Sequence, residues 1–328
     1  MNLLCLNPGS TSIKASWFDL PHQMHSPPFR QVTLEGTDIE SWFERCAVAP
    51  ELVAIRLVHG GTIFTSTREF WPHDLKRLSP FLPLAPNHLP ITLRALELAL
   101  ERWPNTRLFV CPDSEFHRTM LPEAKTLPLP ENVRAQGISR LGFHGLSFQS
   151  IIHQLEPDLP EKLIIAHLGG GSSLCAIRNG ESIDTTMGFT PLGGLPMGTR
   201  SGDVDPGILL HLLRQGKSLD SLETLLTQES GLLGLSGISA DLRDLSPDSL
   251  AVSSFCYAVQ KGIGAMITAL GGLDLLVFTG GVGENQPLIR DRITSTLESL
   301  PLHFSTRVLP SRESVAMADT LRPWLPED

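Results

Sequence analysis

The sequence predicts an α/β protein built from two related domains, and three observations carry that reading. Apolar strands alternate with helical stretches. The pattern of strand, small polar turn and strand occurs at residues 2–20 and again at 163–184, which indicates an internal duplication. A chain of 328 residues is long for one domain and natural for two.

Composition narrows the function. An apolar share of 41% with 19% charged residues suits a folded, water-exposed protein with ample core. A net charge of -9 disfavours a general nucleic-acid binder. It also means that an anionic substrate must be held by positive charge gathered locally. Five scattered cysteines without a CxxC pair read as reduced core residues of a cytoplasmic protein. The uncharged MNLLCLNPGS start does not read as a signal peptide, and no apolar run was expected to reach membrane-spanning length.

Along the chain, NLLCL (2–6) is a buried strand, NPGSTS a turn and IKASWFDL the returning strand, together a hairpin. Residues 89–102 are Leu-rich and end before Pro104, a helix. Residues 119–138 are proline-rich and read as a linker. LIIAHL, GGGSS and LCAIRNGESID repeat the hairpin theme, with a second turn at Asn179-Gly180. Residues 206–215 form a helix that stops at Gly216, and Asp203 and Asp205 cap turns before it. A long helix is expected over 247–270, opened by Ser246-Pro247, with Phe255, Val259, Ile263, Met266 and Leu270 on its buried face. LLVFTGG is a strand ending in glycines. VGEN then leads into a helix opening near Pro287, a geometry suited to a nucleotide.

Chemistry concentrates in a few places. Glycine turns let the backbone approach phosphate oxygens, and serine hydroxyls add donors. Arg56 in IRLVHGG and Arg200 in MGTRSGD sit beside small residues, where a planar guanidinium fork matches carboxylate or phosphoryl oxygens. His144, flanked by glycines, is the best placed histidine to donate to developing charge. Asp113 follows the strand LFVC at its carboxyl end, where open α/β sheets place ligands. Asp113 and Glu313 are the candidate carboxylates for a magnesium–nucleotide site.

NPGSTSIK, RLVHGG, LAPNHLP, DSEFHRTMLP, GFHGLS, HLGGGSS, IDTTMGFTPLGGLPMGTRSGDVDPG, SGLLGLSGISADLRD and GGLDLLVFTGGVGEN occur in this order. So arranged, they resemble the acetate kinase family of acetate and propionate kinases. The resemblance implies two duplicated ribonuclease-H-like domains of the actin, hexokinase and Hsp70 type with a hinged cleft. One domain would be 1–118 plus about 314–328, the other 119–313. It implies ATP-dependent phosphorylation of a short-chain carboxylate with Mg²⁺, and a homodimer.

Carried residue by residue, the resemblance makes Arg56 and Arg200 the carboxylate and phosphoryl holders. His144 becomes the transition-state donor, His88 a supporting histidine and Asp113 the catalytic aspartate. Asn7, Ser10, Ser12 and Lys14 form the first phosphate hairpin, and His167, Gly169, Gly171 and Ser172 the second. Asp241, Arg243, Gly281, Gly283, Glu284 and Asn285 match the adenosine region. Asn7 and Glu313 would serve the metal, and Val58, Asn87, Phe143 and Pro191 would surround the acyl group. The chain departs from the family's pattern at Asn87, usually leucine, at Phe148, usually histidine, and at Gly170, usually asparagine. It is also trimmed before Arg56 and after Glu284. Alternatives at this point are a catalytically silent nucleotide-binding homologue, and a kinase using another phospho donor or a more polar acid.

Overall fold

The computed structural model describes residues 1–9, 12–20, 26–35, 39–46 and 48–325. The chain divides into two compact units. The first comprises 1–118, 144–154 and 312–328, the second 119–143 and 155–311. Residues 144–154, assigned from the sequence to the second domain, cluster with the first. Leu146 is part of the first unit's core, and the Gly145 N–H donates to the Asp113 carbonyl at 3.0 Å.

In the first unit, strands β1 (Asn2–Pro8), β2 (Ser12–Asp19), β3 (Arg30–Glu35), β4 (Leu52–Leu57), β5 (Arg68–Glu69) and β6 (Arg107–Pro112) form a sheet in the order β3-β2-β1-β4-β6-β5. The pairs β1–β2 and β2–β3 are antiparallel, while β1–β4 and β4–β6 are parallel. In the second unit, β7 (Lys162–Leu168), β8 (Ser172–Arg178), β9 (Glu181–Thr185), β10 (Leu275–Thr279) and β11 (Ser305–Val308) run in the order β11-β10-β7-β8-β9. There β7–β8 and β8–β9 are antiparallel, and β7–β10 and β10–β11 parallel. The core order and strand directions match β3-β2-β1-β4-β6, so the duplication read from two hairpins extends to five strands of each sheet.

The central strands explain themselves. β4 (LVAIRL) is buried at every position, as a parallel strand covered on both faces must be. Arg56 is the one polar residue in it, which marks that position before any chemistry is considered. The Leu250–Leu270 helix buries Phe255, Val259, Ile263, Met266 and Leu270 in the second core, the face expected from their spacing. It is long and apolar enough to cross a membrane by length and composition, contrary to the expectation that no segment would be. Its eight buried residues instead make it the helix that covers this sheet. Its cap is Ser249, whose hydroxyl accepts from Val252 N–H, rather than Ser246.

Two further expectations shift. VGEN is not a loop: Gly280–Asn285 is already helical, and the Pro287–Leu297 helix follows it. The proline-rich stretch 119–138 carries two helical turns, Pro122–Lys125 and Glu131–Arg134. Beside them the Arg140 guanidinium donates to the carbonyls of Ala124, Thr185 and Thr186, so this segment is anchored rather than a free linker. Asp205 caps the Pro206–Arg214 helix through Gly207 N–H, as read, whereas Asp203 accepts from Gly194 N–H and ties two loop segments together rather than capping a turn.

Candidate active site

In the first unit the parallel strands β1, β4 and β6 end along one edge, and each delivers a polar residue there. Asn7 lies near the end of β1, Arg56 near the end of β4, and Asp113 just beyond β6, its N–H bonded to the Leu57 carbonyl. Chain direction alone therefore gathers residues far apart in sequence. Arg56 Nε donates to Asp113 Oδ1 at 2.9 Å and Nη2 to Oδ2 at 2.7 Å, a bidentate fork. Arg56 Nη1 reaches Asn7 Oδ1 at 3.0 Å and Glu313 Oε2 at 3.2 Å. Asn7 Nδ2 donates to the same Glu313 oxygen at 2.6 Å. Glu313, whose placement sequence spacing alone did not determine, thus closes the group as the first residue of the Glu313–Thr320 helix.

Burial sets the electrostatics. Asp113 is fully buried and Arg56 nearly so. Burial pushes the Asp113 carboxyl above the usual carboxylate range, although Arg56 pulls it back. Burial lowers the Arg56 guanidinium, but the Asp113 and Glu313 charges outweigh that and hold it above its ordinary value. The two groups form a desolvated pair with both Asp113 oxygens engaged by the guanidinium.

His144 adjoins this group through its main chain. Its N–H donates to the Asp113 carboxylate. Its φ of 60° lies in the left-handed region, which L residues other than Gly, Asn and Asp seldom adopt. The next residue explains the tolerance: a Cβ at Gly145 would sit 2.1 Å from the Asp113 carbonyl oxygen and 2.8 Å from Phe116 Cβ. The loop is pressed against Asp113, and only glycine fits. His88 stands at the N-cap of the Leu89–Arg102 helix and makes no side-chain cap bond there. Val58 is buried, and Asn87 is half-buried with no side-chain hydrogen bond among the described residues. Lys14 is exposed opposite Asn7 in the β1–β2 hairpin, and Ser12 is half-buried. Ser10 lies outside the described residues.

The second unit gathers the other candidates. Ser172, fully buried, closes the turn after β7 through its hydroxyl and both main-chain groups of Gly169, at 3.3 Å each. Gly280 (φ +80°) brings the next turn so close that a Cβ would meet the Leu168 carbonyl at 2.7 Å and His167 Nε2 at 3.1 Å. Gly198 N–H donates to the Gly170 carbonyl, and the Ala240 carbonyl packs on Gly198. The turn 169–172, the loop leading to Arg200, the segment entering Asp241 and the helix Gly280–Asn285 are therefore neighbours within this unit.

Individual roles there are uneven. Glu284 turns inward: its Oε1 accepts from Gly280 N–H, Ser311 N–H and the Thr279 hydroxyl, which makes it a staple for the short helix carrying Gly281 and Gly283. Asn285 Nδ2 donates back to the Gly281 carbonyl. Asp241 and Arg243 form an exposed pair with each other, and the Arg243 donors hold the Asp241 carboxyl below its usual range. Arg200 differs. Its Nη1 donates to the Pro191 carbonyl at 2.8 Å, no carboxylate pairs with it among the described residues, and burial lowers its pKa to about 10. Phe143 is buried, held by the Leu141 and Gly142 N–H groups on the Gly188 carbonyl.

The departures have physical readings. Phe148 is buried among the Phe116 and His117 rings, with centroids 6.1 and 5.6 Å away, so it serves the core. A Cβ at Gly170 would meet nothing within 4 Å, so no clash requires glycine there. Among the described residues no group of three or more His, Cys, Asp or Glu side chains forms a metal cage. Asn7 Oδ1 and Glu313 Oε2, both now held by Arg56 Nη1, are nevertheless oxygens of the kind Mg²⁺ takes, with waters and substrate phosphates as its other ligands. Sequence reasoning missed Ser150, a fully ordinary serine within an apolar helix whose hydroxyl turns out to hold the entry to Glu313.

Comparison with known proteins places these features. A family model described as the Acetokinase family matches residues 46–318. An acetate kinase of Protochlamydia amoebophila is 45% identical over 265 residues, covering 77% of this chain and 67% of that protein. One from Rickettsia prowazekii is 37% identical over 338 residues, covering 91% and 88%. Among solved structures, Porphyromonas gingivalis acetate kinase superposes with a TM-score of 0.80 at 30% identity, covering 98% of both chains. A propionate kinase from Francisella tularensis gives 0.85 at 27% identity, covering 97% and 98%.

Proposed function

The chain belongs to the Acetokinase family, and from that premise we propose that it transfers a phosphoryl group reversibly between ATP and a short-chain carboxylate, giving an acyl phosphate. The observation that carries the reading is the buried cluster of Asn7, Arg56, Asp113 and Glu313. A carboxylate nucleophile is already ionised, so the reaction needs little base catalysis. The difficulty is bringing two anions together and stabilising an in-line transfer.

Each residue then has a physical task. Arg56 is fixed by Asp113 so that its charge faces anionic oxygens without rearranging. Arg200 offers a second desolvated guanidinium. His144, held in its left-handed backbone, presents an imidazole to developing charge. His88 supports this group. Asn7, Ser10, Ser12 and Lys14 and, in the second unit, His167, Gly169, Gly171 and Ser172 take phosphate oxygens. Asp241, Arg243, Gly281, Gly283 and Asn285 receive the adenosine, with Glu284 bracing the short helix Gly280–Asn285. Asn7 and Glu313 would hold Mg²⁺, which neutralises phosphate charge when bound. Val58 and Asn87 in the first unit are assigned to the acyl chain, as are Phe143 and Pro191 in the second, and the Asn87 amide, without a side-chain hydrogen bond among the described residues, favours an acid carrying a polar substituent.

The test is acyl hydroxamate formation from MgATP with acetate, propionate, butyrate, glycolate and lactate. Turnover with one or more acids is expected, and Asn87→Leu should shift preference towards acetate. No turnover with any acid would overturn the kinase reading, and an unchanged preference would remove Asn87 from specificity.

The enzyme is also proposed to act as a homodimer in the cytosol. The Pro206–Arg214 helix has no buried residue and exposes Ile208, Leu210 and Leu213, an apolar surface suited to a second copy. Sedimentation should give a dimer that Leu210→Glu weakens; a monomer at all micromolar concentrations would reject it. All five cysteines are free, as a reducing compartment requires.

A further inference from the structure

Two helices of the first unit open at candidate site residues. Gly145–Leu155 follows directly on His144, and Glu313–Thr320 begins with the carboxylate that reaches Asn7 and Arg56. They are tied together at two points. Ser150 Oγ accepts the Arg312 N–H at 3.0 Å, and His153 Nε2 lies 3.0 Å from Asp319 Oδ2.

The first tie is unusual in what it satisfies. The opening amides of a helix have no acceptor within it and normally find one in their own N-cap side chain. Arg312, the N-cap here, makes no such bond. The amide of the N-cap residue itself finds its acceptor on the other helix. Ser150 is 2% exposed, and its hydroxyl proton is committed to the Ser147 carbonyl at 2.7 Å, so its lone pairs face Arg312. Glu313 is the next residue. The peptide that sets its position is thus fixed by a single buried hydroxyl 162 residues away in sequence.

We propose that Ser150 is a positioning residue for the Glu313 carboxylate, and through it for the metal that Glu313 and Asn7 hold. This rests on the metal role given to Glu313 above. Alanine at 150 leaves the Arg312 N–H without this acceptor, and the first turn of the helix relaxes. A hydrogen bond of this kind corresponds to about a 3- to 10-fold change in an equilibrium.

The experiment measures Mn²⁺ binding to the protein with ADP by electron paramagnetic resonance, alongside hydroxamate kinetics. Ser150→Ala should weaken Mn²⁺ by about 3- to 10-fold and leave the KM for the acid within about twofold. The same change in a Glu313→Gln background should add nothing, because coupled residues are non-additive. Ser150→Thr, which keeps the hydroxyl, should recover most of the affinity. Should Ser150→Ala not fold, Ser150→Cys, with a weaker acceptor of similar size, gives the same reading in smaller measure. His153→Ala serves as the control, since it loosens the same helix pair at its far end. It should lower the melting temperature without moving Mn²⁺ affinity. Unchanged Mn²⁺ affinity in Ser150→Ala, a full loss that persists beside Glu313→Gln, or an equal loss in His153→Ala would overturn the proposal. If Glu313→Gln binds Mn²⁺ as the native protein does, the metal role fails and this proposal falls with it, while hydroxamate turnover still reports separately on the kinase.

Discussion

Asp113→Asn is expected to lower stability by about 3 kcal/mol, in the range for breaking a buried ion pair by removing one partner, and to reduce turnover by about 10²–10³-fold, the loss typical of a misplaced transition-state donor. The carboxylate is fully buried, and both of its oxygens are taken by Arg56. An asparagine offers one acceptor in place of two and turns an N–H donor towards a guanidinium that can only donate. Arg56 is then a desolvated cation held on one side only. The same residue anchors His144, through the His144 N–H on its carboxylate and the Gly145 N–H on its carbonyl. Loss of the carboxylate also releases a left-handed backbone that only its surroundings maintain. Both candidate groups should therefore move together. Thermal melting and hydroxamate turnover check this. A variant that melts like the native protein, or that turns over within a factor of about ten, would show that Asp113 holds neither. On this geometry Asp113 acts by placing Arg56 and His144.

Much of this was legible in the sequence for a specific reason. Parallel strands buried on both faces read as unbroken apolar runs, so a polar residue in one, such as Arg56 in LVAIRL, stands out. Hairpins with small polar turns are local, which let both copies of the duplication be seen. The Phe255 to Leu270 face has the helical period and was found at its true positions, whereas its start was not, because Ser246 and Ser249 are equally good caps by sequence. What was not legible is what depends on distant chain segments. Glu313 meets Asn7 across 306 residues, and Ser150 meets Arg312 across 162. Glu284 looked like part of a nucleotide loop because of its glycine neighbours, and only the folded turn shows its carboxylate facing inward. Residues 144–154 return to the first unit although the chain on both sides belongs to the second, a crossing that no local pattern announces.

Arg200→Met is expected to abolish turnover, by about 10²–10³-fold, and yet to leave the unliganded protein at least as stable as the native one. The opposition follows from what surrounds the guanidinium. Its hydrogen-bond partner is the Pro191 carbonyl, no carboxylate pairs with it among the described residues, and burial lowers its pKa to about 10. The sign is set by proton binding. Between about 10 and its higher ordinary value the unfolded chain keeps a proton that the folded one sheds, so stability gains with rising pH only in that window. At neutral pH Arg200 is charged in both states, and the folded protein carries a desolvation cost that the Pro191 carbonyl offsets only in part. A methionine of similar reach removes that penalty, which is how replacing buried charge by apolar side chains stabilises other proteins. An anion removes it too. A phosphate or acyl phosphate bound at 100 times its Kd should add about 2.7 kcal/mol to the native protein and much less to Arg200→Met. Melting curves with and without phosphate, read beside hydroxamate turnover, separate the cases. If the variant turns over normally, or if phosphate stabilises it as strongly as the native chain, Arg200 does not receive the anion. A variant less stable without ligand would mean that the charge is already compensated in the fold. The expected combination, a site that weakens the empty protein and strengthens the liganded one, is what a preorganised anion receptor requires.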